Sequence, residues 1–143
     1  MEYTTSSILS MISHIHACSA DYTNRRLAEK TDLVSSHGFI LYLLSDGRKI
    51  SKGELTRLIN RDKSTTTVLI KKLLNAGLVK EETCPEDGRS KILSITKEGK
   101  KYNALTSAIS KDLLSVCWKD FSCEEKESLL LLLGKMLKNL EEA

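Results

Sequence analysis

Residues 62 to 96, DKSTTTVLIKKLLNAGLVKEETCPEDGRSKILSIT, limit what this chain can become more than any other stretch. Leu69, Ile70, Leu73 and Leu74 recur at helical spacing behind Asp62, a residue type whose carboxylate accepts from the free N–H groups of a helix start. Gly77 is placed to stop that helix. The pattern then changes at once. LVKEETC and KILSIT are strand-like runs joined through Asp87-Gly88, a hairpin signal, with Pro85 in the connecting loop. Elsewhere, with one proline and seven glycines in 143 residues, little interrupts helical periodicity. The expected fold is mainly α with a small β-hairpin (α+β).

The length suits one domain or two small lobes with a real core. No run reaches the roughly 20 apolar residues of a membrane span, and MEYTTSSILSM lacks the basic start and apolar centre of a signal peptide. We therefore expect a soluble, cytoplasmic protein with no membrane partner. Cys18, Cys84, Cys117 and Cys123 form no C-x-x-C pair, which fits free thiols in a reducing compartment. His14 and His16 are two apart, so on a helix they diverge and cannot hold one ion. No metal or cofactor is expected. No nucleophile-elbow, phosphate-loop or HExxH motif is present, so the chain does not read as an enzyme.

Around this stretch the remaining elements are helices. Ile8, Met11, Ile12, Ile15, Tyr22 and Leu27 mark a long helix over residues 5–30. Ser35 is a candidate cap for a second, with Phe39, Ile40, Leu43 and Leu44 as its core face and Asp46-Gly47 as its stop. After a short extended RKI, Ser51 and Glu54 have the capping-box spacing and open a short third helix ending near Asn60. Asp62 opens the fourth. Thr96 can cap a fifth from Lys97 to about Trp118, and Ser122 to Glu125 repeats the capping box for a sixth, with Phe121 as a hydrophobic staple. That last helix carries Leu129 to Leu133 in succession and is apolar almost all round, more than one monomer can cover.

Charge is unevenly spread. Arg48, Lys49, Lys52, Arg57, Arg61, Lys63, Lys71 and Lys72 oppose only Glu54 and Asp62, giving +6 between residues 47 and 72 within a net +3. A basic middle implies an anionic partner, most simply nucleic acid. Two short helices joined by a tight turn read as a helix-turn-helix, whose second helix enters the major groove of double-stranded DNA. Ser64, Thr65 and Thr67 are short enough for close approach, and their hydroxyls can serve phosphates or base edges. Lys71 and Lys72 add charge further along, and Arg61 and Lys63 flank the helix start. A hairpin directly after such a helix is a wing. Arg89 at its tip suits a narrow minor groove, with Asp87 placed to orient the guanidinium and Ser90 and Lys91 beside it.

At this point the chain resembles the MarR family of winged helix-turn-helix regulators. The resemblance rests on Ser64-Thr65, on KLLNAGLV ending at Val79, on DGRSK from Asp87 to Lys91, and on LSITKEG ending at Gly99. It implies a winged helix-turn-helix over residues 33–96 and a helical dimerisation region from 1–32 and 97–143. It further implies a homodimer on a pseudo-palindromic operator, helix 62–76 in the major groove and wing 84–92 in the minor groove, with half-sites about 34 Å apart. Ile8, Met11, Leu129, Leu132, Leu133 and Met136 are then the candidate dimer contacts.

Such regulators are commonly repressors released by a small-molecule inducer or by thiol oxidation, at a site between the two regions. Tyr22, His37 and Tyr42 are candidates for a ligand pocket, with Phe39, Trp118 and His14 as further aromatic or imidazole groups. For redox sensing, the family's peroxide-responsive subgroup carries its cysteine where this chain has Met11. Two departures concern specificity: Val68 stands where the recognition helix often has arginine, and Lys71 where an acidic residue often precedes the last basic one. The alternatives to a ligand-responsive repressor are a thiol-responsive regulator and a winged helix that binds an acidic protein.

Overall fold

A single 3₁₀ turn at Thr5–Ser7 leads into α1 (Ile8–Ala28), the first of six α-helices in a computed structural model that describes residues 2–143. α2 (Ser35–Leu44), β1 (Ile50–Ser51), α3 (Lys52–Leu58), α4 (Lys63–Asn75), β2 (Val79–Thr83), β3 (Lys91–Ile95), α5 (Lys97–Cys117) and α6 (Cys123–Glu141) follow. About two thirds of the chain is helical (66%). The mainly α expectation with a small β-hairpin is met, with one addition: the sheet has three strands in the order β1-β3-β2, all antiparallel. β1 pairs Ile50 with Leu93 and Ser51 with Ile92, so the stretch read only as extended closes the free edge of β3.

Helix starts are set by local hydrogen bonds. The Ser51 hydroxyl accepts from the Glu54 N–H (3.2 Å) at the start of α3. The Glu54 carboxylate does not reach back, as the capping-box spacing suggested, but takes the Arg57 guanidinium instead (Nε, 3.1 Å). Ser35 is not the cap of α2. It is the first helical residue, its N–H held by Asn24 Oδ1 of α1 (2.8 Å), while the buried His37 ring accepts from the Val34 N–H (3.0 Å). A side chain already in the core can thus cap better than the hydroxyl nearest in sequence. α2 buries Ile40, Leu41 and Leu44, and Phe39, expected in the core, is exposed.

By its contacts the chain divides into two units, Met1–Ser110 and Lys111–Ala143. The core of the first joins α2 (Ile40, Leu41, Leu44), β1 (Ile50), α3 (Leu55), α4 (Leu69, Ile70, Leu73), β2 (Val79) and β3 (Leu93, Ile95). This assembly of helices on a small sheet fixes the direction of α4. Gly77, after α4, takes the left-handed conformation (φ 73°), where glycine bears no side-chain penalty. Thr96 then ties three segments: its N–H donates to Leu78 O (3.1 Å), its hydroxyl to Gly77 O (2.7 Å), and the same oxygen accepts from the Gly99 N–H (3.1 Å) as the cap of α5.

The second unit holds the end of α5 and all of α6. Asp120 (φ 64°) turns the chain, and Ser122 and Glu125 make the reciprocal capping box, at 3.1 and 2.8 Å. Phe121 staples differently from expectation. Its ring meets Trp118 edge-on at 5.2 Å, and Lys126, at the position the staple would need to be apolar, places its ammonium 5.8 Å over the same indole. No residue of α6 is buried.

Gly99 packs where a side chain cannot go. A Cβ there would lie 2.1 Å from Leu78 O, a backbone atom fixed by the Thr96 hydrogen bond. Gly99→Ala should therefore cost about 2 kcal/mol or more in urea unfolding, at the upper end of overpacking effects. Gly53→Ala, where a Cβ meets nothing within 4 Å, is the control and should cost nothing. Equal midpoints for the two variants would show that α5 shifts freely against Leu78.

Candidate nucleic-acid interface

The turn between α3 and α4 is four residues, Ile59, Asn60, Arg61 and Asp62. Asn60 is left-handed (φ 55°), a conformation asparagine tolerates better than most residues. Asp62 is extended and caps α4: its Oδ1 accepts from the Thr65 N–H (2.7 Å) and the Ser64 hydroxyl (2.8 Å). Those donors, the Thr65 amide first, hold the carboxyl below its ordinary pKa. Negative charge at a helix N-terminus also favours the dipole.

Thr66, Leu69, Ile70 and Leu73 are the buried side of α4. At about 100° per residue, the opposite side is formed by Ser64, Thr67, Val68 and Lys71, all exposed. Asn75 continues this row. Sequence reasoning passed over it, although its spacing from Val68, seven residues, already put it on the same face. Thr65 and Lys72 lie on one flank, half-buried. Lys72 is engaged within the fold, its ammonium donating to Asp32 O (2.9 Å) and approaching the Asp32 carboxylate (3.3 Å). The hydroxyl protons expected to reach outward are also committed. Thr67 Oγ1 donates to Lys63 O (2.8 Å), as Ser64 does to Asp62, leaving both oxygens only as acceptors.

Beyond β2, residues 84–90 form the wing tip. Ser90 N–H donates to Asp87 O (3.1 Å), closing a four-residue turn, and Cys84 N–H donates to Ser90 O (2.9 Å). Gly88 keeps out of the left-handed region, so this is not the two-residue Asp-Gly hairpin turn that the dipeptide suggested. Asp87 does not hold the guanidinium of Arg89. Its carboxylate accepts from the Arg89 backbone N–H (3.0 Å) and the Ser90 hydroxyl (3.0 Å), which lower its pKa in that order. The reason is geometric: an aspartate reaches the amide two residues on more readily than a long side chain at the same position. The Arg89 side chain is left exposed, without a hydrogen bond or ion pair among the described residues.

The basic stretch is partly neutralised in the same way. Arg48 pairs with Asp46 (3.2 Å), Lys49 with Glu82 (3.1 Å), Arg57 with Glu54 and Lys72 with Asp32. Arg61, Lys63 and Lys71, around α4, have no acidic partner among the described residues, and Lys91 on the wing touches only the Thr83 hydroxyl (3.3 Å). Within the +6 stretch the cations without an acidic partner are thus Lys52, Arg61, Lys63 and Lys71, and Arg89 and Lys91 extend the set onto the wing.

The MarR family model matches residues 33–91, the segment that carries these features. Over 115 residues the chain is 30% identical to the uncharacterized HTH-type transcriptional regulator YybA of Bacillus subtilis, covering 79% of this chain and 77% of the relative. The chain belongs to the MarR family. It is accordingly a transcriptional regulator and not an enzyme. Among solved structures, the MarR protein from Peptoclostridium difficile superposes with a TM-score of 0.88 at 26% identity, covering 99% of this chain and 92% of the other. The Staphylococcus aureus MepR–DNA complex superposes at 0.81 with 25% identity over 96% and 99%. No helix among the described residues is long and apolar enough to cross a membrane.

In this MarR-family chain the three pocket candidates stand in different surroundings. Tyr22 is half-buried with the Arg26 guanidinium 4.4 Å over its ring. His37 is buried, whereas Tyr42, five residues on and about 140° round α2, is exposed and stacks on Phe39 at 6.4 Å. His14 bonds to the Tyr3 hydroxyl (2.7 Å). Cys18, Cys117 and Cys123 are exposed free thiols, and Cys84 is half-buried.

His37 gives the fold a pH dependence. Burial, and next the Lys72 ammonium, lower its pKa from 6.5, with Asp32 opposing. The neutral ring is favoured in the folded state, and its lone pair receives the Val34 N–H. A group with a depressed folded pKa binds its proton first in the unfolded chain, so stability is complete above pH 6.5 and falls as pH drops below it. Urea midpoints measured from pH 8 to 5 should decline for the wild type and stay flatter for His37→Gln. Parallel curves would assign the decline to other groups.

Proposed function

We propose that this protein is a sequence-specific, double-stranded DNA-binding regulator that acts as a homodimer in the cytoplasm, a repressor released by a small-molecule inducer. Helix 62–76 enters the major groove and wing 84–92 the flanking minor groove. The observation that carries this reading is the coincidence of one outward row on α4, short side chains with Lys71, and the cationic groups left unpaired, Arg61, Lys63 and Arg89. Short residues let a helix approach base edges. Cations that spend no charge on the protein itself are available for phosphates or a negative groove.

The dimer is supported by α6. Leu130, Leu131 and Leu132 are 64%, 67% and 57% exposed, and Leu129 and Leu133 about a third. Ile8, Met11 and Met136 are half-buried. On this reading residues 1–32 and 97–143 form the dimerisation region, and 33–96 the DNA-binding region. Two-fold symmetry presents two copies of α4 to half-sites about 34 Å apart.

Selection from a random duplex pool at two salt concentrations should return a two-fold symmetric motif bound with a steep salt dependence. On that operator Arg89→Ala should weaken binding at least about tenfold, some 1.4 kcal/mol, with dimer mass unchanged. Unaltered affinity would remove the wing from the mechanism. Absence of any motif together with a flat salt dependence would favour an acidic protein as the partner. Placing paired glutamates at Leu130 and Leu133 should convert the dimer into monomers or unfolded chain in light scattering. A folded dimer of this variant would locate the interface elsewhere.

A further inference from the structure

Val68 is 68% exposed, the highest value for a large hydrophobic side chain among the described residues, in the middle of the outward face of α4. A β-branched residue at an exposed helix position gains nothing from packing and lowers helix propensity. Its hydroxyl neighbours on that face supply no free side-chain donors. The Ser64 and Thr67 hydroxyl protons go to Asp62 and Lys63 O, so the groups they leave for a ligand are acceptor oxygens and, on Thr67, a methyl.

The four base pairs present different groups in the major groove. Guanine is read by a paired donor and adenine by an amide, neither of which stands at this point of α4; Lys71 is a single flexible cation nearly a turn away. Cytosine offers a donor but no apolar surface. Thymine alone offers a methyl group, the one major-groove feature that an apolar side chain can bury.

We propose that Val68, with the methyl of Thr67, makes the centre of α4 a reader of the thymine C5 methyl, so that each operator half-site requires thymine where that face meets the bases. This rests on α4 being the major-groove helix. The specificity at that point is apolar, and it is separable from the cationic contacts that provide affinity.

The test replaces each thymine of the selected operator in turn by deoxyuridine, which removes only the methyl and leaves Watson–Crick pairing intact. Binding of the full-length protein is measured by fluorescence anisotropy. At one thymine per half-site, affinity should fall about fourfold, the factor for one buried carbon at about 0.8 kcal/mol. For Val68→Ala, a change at an exposed site that favours the helix, the natural operator should bind less tightly and the deoxyuridine effect should largely vanish, with the salt slope unchanged. At the same position, 5-methylcytosine should be tolerated better than cytosine. Tight binding that ignores every deoxyuridine substitution, or an undiminished deoxyuridine effect in Val68→Ala, would overturn the methyl-reading role while leaving α4 as the DNA-binding helix. Failure to bind any duplex in the pool would overturn both.

Discussion

Thr96 and Gly99 hold together the parts of this protein that have to keep a fixed angle. One hydroxyl donates to Gly77 O and accepts from the Gly99 N–H, while the Thr96 amide donates to Leu78 O. The C-terminal end of α4, the root of the hairpin and the first turn of α5 therefore meet within a few residues. Gly99 is required because the backbone of Leu78 occupies the space of its missing Cβ. Without that junction α4 and the hairpin would each be formed locally, but their separation would not be set.

The same economy governs charge. Exposed ion pairs contribute little to stability, commonly about 0–1 kcal/mol. Their larger consequence here is to select which cations remain free. Arg48, Lys49, Arg57 and Lys72 each face a carboxylate, so the +6 stretch is electrostatically smaller than its composition indicates. The cations without an acidic partner include those on the turn before α4, on its outward side and on the wing. Lys72 has another place in the fold: with Asp32 it lies close enough to His37 to shift its titration, linking α4 to the start of α2.

Much of this was legible from local chemistry. Ser51, Asp62, Thr96 and Ser122 cap the helices that follow them because capping needs only a short acceptor side chain and the amide three residues on. The hairpin, the stop at Gly77 and the outward position of Val68 were similarly readable, since each depends on spacing within one element. Four features were not. β1 is two residues long and gains its identity only from β3, and Phe39 is apolar but faces away from the core that Leu41 enters. His37 displaces Ser35 as the cap of α2, and Asp87 turns to backbone rather than to guanidinium.

The sequence by itself determined the order of the helices and the hairpin, most of the helix starts, and the crowding of positive charge and short hydroxyl side chains around one helix, because these follow from periodicity and from interactions spanning three or four residues. Only the tertiary structure decided which of those groups are free to act. Lys72 and Lys49 are neutralised by residues 40 and 33 positions away in the chain. The hydroxyls of Ser64 and Thr67 are already spent within their own helix, and an exposed valine is left at its centre. Availability depends on what each group touches in three dimensions, and residue spacing does not encode that.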